Sequence, residues 1–128
     1  MHCLDSTFCI DLMNGSDRAL ERVKGLESKG ERLAVAAPAL TEFLVGAFAR
    51  GGRRLAQALE FVAQLEVLEV SEEVAIEAAR LGGECFRRGT PVGNIDLLIA
   101  ATAKGHHAIL LTRDEDFSRI PELMVENY

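Results

Sequence analysis

NIDLLIAATAKGHHAILL, residues 94–111, joins a buried helix to a buried strand and thereby indicates the fold class. The helix begins at Asn94 or Ile95 and is apolar nearly all round, which is typical of a helix that is covered on every side. Gly105 ends this helix, and the apolar run 108–111 has the character of the short, fully buried strands of parallel sheets. A helix that leads into such a strand is typical of an α/β protein.

The rest of the chain alternates in the same way between short apolar strands and amphipathic helices. Four further strands are predicted, at residues 1–4, 33–37, 66–70 and 123–126. Helices are predicted at residues 7–13, from the Ser16 cap to 29, from Pro38 to the Gly51-Gly52 break, at 53–64, and from the Ser71 cap to 88, with a short turn at 116–120. This alternation predicts a mostly parallel sheet covered by helices on both faces, within a single domain over residues 1–128.

Regularly spaced apolar side chains mark the helix faces that we expect in the core. In the helix after Pro38 they are Leu40, Phe43, Leu44, Ala47 and Phe48. In the next two helices they are Leu55, Leu59 and Val62, followed by Val74, Ala78, Leu81 and Cys85. Asn94 is predicted to cap the last long helix, because its short polar side chain suits an N-cap.

Composition excludes several classes of protein. A chain of 128 residues, 48% of them hydrophobic, forms one ordinary globular domain. No apolar run approaches the roughly 20 residues of a membrane span, and no basic segment precedes an apolar one as in a signal peptide. Three cysteines without CxxC spacing argue against a disulfide framework, so we expect a cytoplasmic protein. The net charge of −6 does not by itself indicate a nucleic-acid partner.

Three carboxylates fall at one edge of the predicted sheet. Asp5 ends the first strand, and Asp114 follows strand 108–111 after only two residues. Glu42 lies one turn into the helix that begins just past the second strand, away from the apolar stripe of that helix. Sites in open α/β sheets form outside the carboxyl ends of the strands. Each residue alone also fits an ordinary role, Asp in a turn and Glu near the positive end of a helix.

Asp96 is the only charged residue between Val92 and Ala103. A buried carboxylate without a partner costs several kcal/mol, so its presence in an apolar helix needs an explanation. One interpretation is that the amides and the dipole of the first helical turn satisfy it. The other is that it ligates a metal ion near the start of the helix.

Four carboxylates in one cleft repel one another, and some would stay protonated without a counter-cation. Hard divalent ions accept such oxygen ligands, which predicts one or two Mg²⁺ or Mn²⁺ ions. An ion of this kind activates water for the hydrolysis of a phosphodiester. His106 and His107 follow a helix C-terminus, where a cation is favourable without any metal. A bound cation would reverse the local sign of charge, so the net charge of −6 does not exclude nucleic acid.

Four ordered segments resemble the motifs of the PIN-domain family. They are CLDSTFCIDLMNG at 3–15, TEFLVGA at 41–47, PVGNIDLLIAATA at 91–103 and ILLTRDEDFSRIPELMVENY at 109–128. The first resembles the opening of PIN domains, in which Asp is followed by Ser or Thr. The second and third resemble their Glu-bearing helix and their Asp before IAA, and the last is similar to their acidic residue, DF pair and final strand. The resemblance extends over the whole chain, whose size and ending look most like the VapC-type toxins of toxin–antitoxin pairs.

This resemblance implies a three-layer α/β/α fold, a Mg²⁺- or Mn²⁺-dependent endoribonuclease acting on RNA, a homodimer, and a VapB-like antitoxin as partner. The catalytic residues and metal ligands that correspond to the family motifs are Asp5, Glu42, Asp96 and Asp114. Ser6 or Thr7 would orient the first carboxylate or its metal-bound water, and Thr112 would position Asp114 or the substrate. Asp116 is the alternative to Asp114 as the fourth carboxylate.

Arginines are unevenly distributed along the chain. Arg113, within the last motif, is predicted to hold the phosphate backbone of RNA, because an acidic cleft needs nearby cations for that purpose. The other clusters are Arg50, Arg53 and Arg54 around a Gly-Gly pair, and Arg87 with Arg88 before the loop 89–93. For these clusters a solvated surface is the simpler interpretation.

Two other functions fit parts of the pattern. A PIN-fold ribonuclease of housekeeping RNA processing would share the site but would lack the antitoxin. A non-enzymatic binding module, such as a phosphoacceptor receiver, also gathers carboxylates around Mg²⁺. A receiver would carry an acidic pair after its first strand and an Asp after a central strand. Here Asp5 has no acidic neighbour, and no Asp follows residues 66–70.

Overall fold

Five short strands form one sheet at the centre of the computed structural model, which describes residues 1–128. The strands are β1 (His2–Leu4), β2 (Leu33–Ala36), β3 (Glu66–Leu68), β4 (Ile109–Leu111) and β5 (Val125–Glu126). Their order across the sheet is β3-β2-β1-β4-β5, and every neighbouring pair is parallel. The predicted α/β class is confirmed, and the sheet is parallel throughout.

Six α-helices and one short 3₁₀ turn connect the strands. The helices are α1 (Ser6–Met13), α2 (Asp17–Ser28), α3 (Ala37–Arg50), α4 (Gly52–Val62), α5 (Glu72–Arg87) and α6 (Asn94–Gly105), and the 3₁₀ turn is Glu115–Arg119. None of these helices combines the length and the apolar character that crossing a bilayer requires.

Each strand is shorter than the apolar run that predicted it, because a strand extends only as far as it pairs with a neighbouring strand. β5 pairs only with Leu110 and Leu111, so it begins at Val125 rather than at residue 123. β3 likewise ends at Leu68, where its pairing with β2 ends at Ala36. Strand existence was therefore predictable from the sequence, whereas strand length depends on the neighbouring strand.

Two of the three predicted helix caps are present. The hydroxyls of Ser16 and Ser71 accept hydrogen bonds from the amides three residues later, at 3.4 and 3.1 Å. The prediction for Asn94 was wrong, because Gly93 occupies the N-cap of α6. The carbonyl of Gly93 already accepts a bond from the amide of Leu97, at 3.0 Å, which places Asn94 inside the helix.

Alternate side chains of β1 and β4 enter two cores, one on each face of the sheet. Cys3 and Leu110 belong to the core beneath α5 and α6, whereas Leu4 and Leu111 belong to the core on the opposite face. The second core is completed by residues of α1, α2, α3 and α4: Phe8, Cys9, Ala19, Leu26, Phe43, Ala47 and Ala58. The molecule is therefore a three-layer α/β/α sandwich.

The predicted inner faces are correct for α5 and only partly correct for α3 and α4. The four predicted residues of α5, namely Val74, Ala78, Leu81 and Cys85, are all buried. In α3, Phe43 and Ala47 are buried, but Phe48 is 61% exposed. In α4, Leu59 is 42% exposed. The prediction was wrong for Phe48 and Leu59 because neighbouring elements cover only part of each helix, and periodicity does not show how wide that part is.

The strand order places the candidate residues together. Beside β1 the order of strands reverses, since β2 lies on one side of it and β4 on the other. Such a switch point opens a crevice at the carboxyl ends of the strands. Asp5 follows β1 directly, Thr112 follows β4, and the N-termini of α3 and α6 lie at the same edge.

Close packing of α5 on α6 yields a matched pair of stability predictions. A Cβ added at Gly82 would lie 2.7 Å from a δ-methyl group of Leu97, which is buried, whereas at Gly83 the nearest atom would be 4.0 Å away. We expect Gly82→Ala to lower the free energy of unfolding by about 1 kcal/mol, because overpacking of about 1–3 kcal/mol exceeds the gain in helix propensity of about 1 kcal/mol.

Gly83→Ala is the control, and we expect it to raise the free energy of unfolding by up to about 1 kcal/mol through helix propensity alone. Urea unfolding of both variants measures the difference. Equal stability of the two variants would contradict the tight contact between Gly82 and Leu97.

Candidate active site

Asp5 is the most deeply buried carboxylate of the candidate site, with 2% of its surface exposed. Two hydroxyls donate to its Oδ2 atom, that of Thr7 at 3.0 Å and that of Thr112 at 2.7 Å. The backbone amide of Asp5 donates to the carbonyl of Leu111 at 3.1 Å, which ties the end of β1 to the end of β4. The carboxylate is thus held through one oxygen only, and Oδ1 is left for another ligand.

Glu42 reaches the same region from the first turns of α3. Its Oε1 atom accepts a hydrogen bond of 3.2 Å from the hydroxyl of Ser6, the first residue of α1. The side chain is exposed and forms no ion pair. Ser6 and Thr7 therefore hold two different carboxylates, Glu42 and Asp5, rather than competing for one.

Asp114 and Asp116 have different surroundings. The amide of Asp114 donates to the hydroxyl of Thr112 at 3.0 Å, and its Oδ1 accepts from the amide of Asp116 at 2.9 Å, which caps the 3₁₀ turn. Asp116 is exposed and lies 3.5 Å from the guanidinium of Arg119. Thr112 thus links Asp114 directly to Asp5, whereas Asp116 points toward a counter-ion of its own.

Asp96 is half-buried in the first turn of α6 and accepts no hydrogen bond from the protein. Burial raises its pKa to about 6, with further contributions from the negative charges of Asp114, Asp5 and Glu42, and a smaller one from Asp116. No first-turn amide donates to this carboxylate, so of that interpretation only the helix dipole remains. The other three predicted carboxylates, Asp5, Glu42 and Asp114, are thus near enough to Asp96 to act on it through their charge.

Arg113 lies beside the cluster, but its charge is balanced by a residue that sequence reasoning missed. Its guanidinium donates to Asp11 of α1, at 2.9 Å from Nε and at 3.4 Å from a terminal nitrogen. The hydroxyl of Tyr128 also donates to Asp11, at 2.6 Å, and the ring of Tyr128 packs edge-on against Phe8 with centroids 4.5 Å apart. Burial, with this bond to Asp11, raises the pKa of Tyr128.

Asp11 carried a recognisable signal in the sequence. It is the only charged residue of α1, STFCIDLM, as Asp96 is the only charged residue between Val92 and Ala103. A lone charge in an apolar helix needs a partner, and here the partner is Arg113 from a distant part of the chain. The sequence therefore pointed to an interaction of Asp11 but not to its nature.

The donor set fits a hard divalent cation. Carboxylate oxygens are the ligands that Mg²⁺ and Mn²⁺ prefer, Asp5 has one oxygen without a protein partner, and Asp96 has two. His106 and His107 follow the far end of α6 and take no part. No three His, Cys, Asp or Glu side chains are grouped closely enough to hold an ion as they stand, so binding requires the carboxylates to turn toward one another.

Comparison with known proteins identifies a family. The PIN-domain family model matches residues 2–123. A curated relative, the tRNA(fMet)-specific endonuclease VapC of Salmonella typhimurium, is 29% identical over 98% of this chain and 96% of its own length. DNA-bound VapBC from Salmonella typhimurium contains a chain with a TM-score of 0.86 at 30% identity, covering 98% of this chain and 96% of that one. VapBC2 from Rickettsia felis, bound to a DNA fragment from their promoter, gives a TM-score of 0.86 at 27% identity, covering 99% and 98%.

The raised pKa of Asp96 predicts a pH-dependent stability of the metal-free protein. Its folded-state pKa of about 6 exceeds the unfolded value of about 3.9, so stability present at low pH is lost as pH rises through 6. Asp96→Asn replaces the titrating carboxyl with a neutral amide, so the variant does not lose stability in this way as the pH rises. We expect the variant to exceed the wild type by about 1 kcal/mol at pH 7.5, a value reduced for solvent screening of a half-exposed group, and to equal it near pH 4.

Urea unfolding in the presence of EDTA at the two pH values measures this effect. Asp116→Asn, at an exposed position in the neighbouring 3₁₀ turn, serves as the control and should leave stability nearly unchanged at both pH values. A difference between Asp96→Asn and wild type that is the same at both pH values would contradict the assignment.

Proposed function

The chain belongs to the PIN-domain family, and on that premise we propose that it is a divalent-metal-dependent endoribonuclease, the toxin of a VapBC-type toxin–antitoxin pair. The observation that carries the proposal is the placement of Asp5, Glu42, Asp96 and Asp114 at one carboxyl edge of the sheet, where the negative charges of the other three contribute to the raised pKa of Asp96. The relatives that cleave RNA align over nearly their whole length and nearly the whole of this chain, which supports the same activity here.

We assign the metal site to Asp5, Glu42, Asp96 and Asp114, with Mg²⁺ or Mn²⁺ as the ion. A bound ion would supply Lewis acidity and an activated water for cleavage of the phosphodiester. Thr7 and Thr112 hold Asp5 through Oδ2 and leave Oδ1 free for the ion, while Ser6 orients Glu42. These hydroxyls are neutral, so they position the carboxylates without cancelling the charge that attracts the cation.

Asp114 is the better candidate than Asp116 for the fourth carboxylate. Asp114 is half-buried and contributes more than any other single charge to the raised pKa of Asp96, whereas Asp116 contributes least. Asp116 also has Arg119 as a counter-ion. Arg113 remains a predicted contact for RNA, held in place by Asp11.

We propose a VapB-like antitoxin as the partner, because the similar solved structures are VapBC complexes. The homodimer is also a proposal, supported by the exposed apolar side chains of Val45 and Phe48 on α3 and of Ile95 on the neighbouring helix α6.

We take residues 1–128 to act as one domain. Three free, buried cysteines suit the reducing cytoplasm in which we place this activity.

Activity of carboxylate variants tests the proposal. We expect Asp96→Asn and Asp114→Asn each to lower Mg²⁺-dependent cleavage of RNA by at least about 100-fold, because each removes a charged ligand worth several kcal/mol in the transition state. Asp116→Asn, two residues from Asp114, is the matched control and should retain most of the activity. EDTA should abolish cleavage by the wild type, and Mg²⁺ or Mn²⁺ should restore it.

Wild-type cleavage that persists in EDTA, or an Asp96→Asn variant that cleaves RNA at the wild-type rate, would overturn the proposal. Expression in a bacterial host separates a toxin from a housekeeping ribonuclease. A toxin should arrest growth, Asp96→Asn should not, and co-expression of a VapB antitoxin should restore growth.

A further inference from the structure

Arginines without a counter-ion are concentrated at one place on the surface. Seven of the eleven arginines pair with a carboxylate, including Arg87 and Arg88, which share Glu84. The four that do not are Arg18, Arg50, Arg53 and Arg54. The last three surround the Gly51-Gly52 turn between α3 and α4. Three neighbouring cations that repel one another, in a chain of net charge −6, point to an anionic ligand.

The turn itself keeps these arginines together. Gly51 and Gly52 both have positive φ, 66° and 58°, a conformation that other residues rarely adopt. Arg50 therefore ends α3 while Arg54 lies in the first turn of α4. Arg54 is half-buried and donates to the carbonyl of Met13, at 3.2 Å, and to the side chain of Asn14. These partners are neutral, so the guanidinium is held in place while its charge stays available.

A groove connects this cluster with the carboxylate site. A cavity of about 160 Å³ lies between α1, α3 and α4, with Glu42 at one end and Arg50 and Arg54 at the other. Its apolar floor consists of Ile10, Met13, Phe43, Ala47 and Ala58. Gly46 leaves its wall open, since a Cβ there would meet no atom within 4 Å. Eight residues of α3 separate Glu42 from Arg50, or about 12 Å along the helix.

We propose that this groove, defined by Glu42, the apolar floor, Arg50 and Arg54, binds the RNA strand next to the scissile bond. A phosphate lies on Arg50 and Arg54, and the base before it packs on the apolar floor. The proposal rests on the proposed ribonuclease function. It extends the substrate contacts beyond the carboxylates, to a site that the sequence interpretation treated as solvated surface.

The composition of the groove suits a single strand of nucleic acid. Guanidinium groups bind phosphate oxygens through two parallel hydrogen bonds, and apolar surfaces accept the faces of bases of any sequence. The apolar side chains and both guanidinium groups line the same cavity, so a base and the neighbouring phosphate can be bound together. Arg113 is the weaker phosphate ligand by comparison, because Asp11 already balances its charge.

Binding of RNA to the inactive Asp96→Asn protein tests the groove without cleavage. The probe is a fluorescent single-stranded RNA of about twelve nucleotides, followed by anisotropy in Mg²⁺. We expect Arg50→Ala to weaken binding about tenfold, as for the loss of one charged hydrogen bond, and to reduce the slope of log K against log salt by about 0.7. Arg54→Gln should act in the same direction.

Arg18→Ala is the matched control, because Arg18 also lacks a carboxylate partner but lies on α2, outside the groove. It should bind RNA as the parent does. Arg50 is exposed and its side chain forms no hydrogen bond or ion pair, so its removal should leave the fold intact, which circular dichroism of each variant checks. In the active protein, Arg50→Ala should raise KM for the long RNA by a larger factor than it lowers kcat.

Unchanged RNA binding by Arg50→Ala and Arg54→Gln would overturn the proposal. So would an equal loss with Arg18→Ala, or intact RNA binding combined with loss of VapB binding, which would assign the groove to the antitoxin. These outcomes are separate from the failure of the proposed function, which would appear as cleavage of RNA by Asp96→Asn itself.

Discussion

Repulsion among carboxylates is the physical constraint on which this end of the molecule depends. The four acidic residues come from different elements: Asp5 after β1, Glu42 in α3, Asp96 in α6 and Asp114 after β4. Only a parallel sheet whose order reverses beside β1 brings them to one edge. Part of the cost of this repulsion is seen at Asp96, where burial and four neighbouring negative charges raise the pKa to about 6. A divalent cation would relieve that repulsion, so the same proximity that destabilises the metal-free site favours metal binding.

The surrounding structure holds the acidic site without neutralising it. Three hydroxyls, those of Ser6, Thr7 and Thr112, orient two of the carboxylates, and no arginine or lysine forms an ion pair with any of the four. The nearby cation Arg113 is itself neutralised by Asp11. Positive charge without a counter-ion lies instead at Arg50 and Arg54, at the end of the groove away from Glu42. Because the acidic site and these unpaired arginines lie apart, the carboxylates stay available to a metal ion and the guanidinium groups stay available to a phosphate.

Local patterns predicted most of the fold. Every strand and helix was expected within a few residues of its observed limits, because period and end signals are local properties. Ser16 and Ser71 cap their helices as expected. The errors at Asn94 and Phe48 have a common cause. Which residue begins a helix depends on the backbone of Gly93, and which side of α3 is covered depends on where α1 and α4 lie.

By itself, the sequence determined the α/β class and the order of helices and strands along the chain. It also showed the acidic side chains at strand and helix ends, because a single charged residue in an apolar helix, such as Asp96, is recognisable from the sequence. Only the tertiary structure decided the order of the strands in the sheet, because the spacing of apolar residues does not show which strands pair. That order places Asp5 and Asp114, which are 109 positions apart in the sequence, at the same edge of the sheet. The choice between Asp114 and Asp116, the partner of Arg113 and the isolation of Arg50 likewise depend on distances between side chains. The sequence gives the sign of each charged side chain, whereas the fold decides which oppositely charged side chain, if any, lies close enough to balance it.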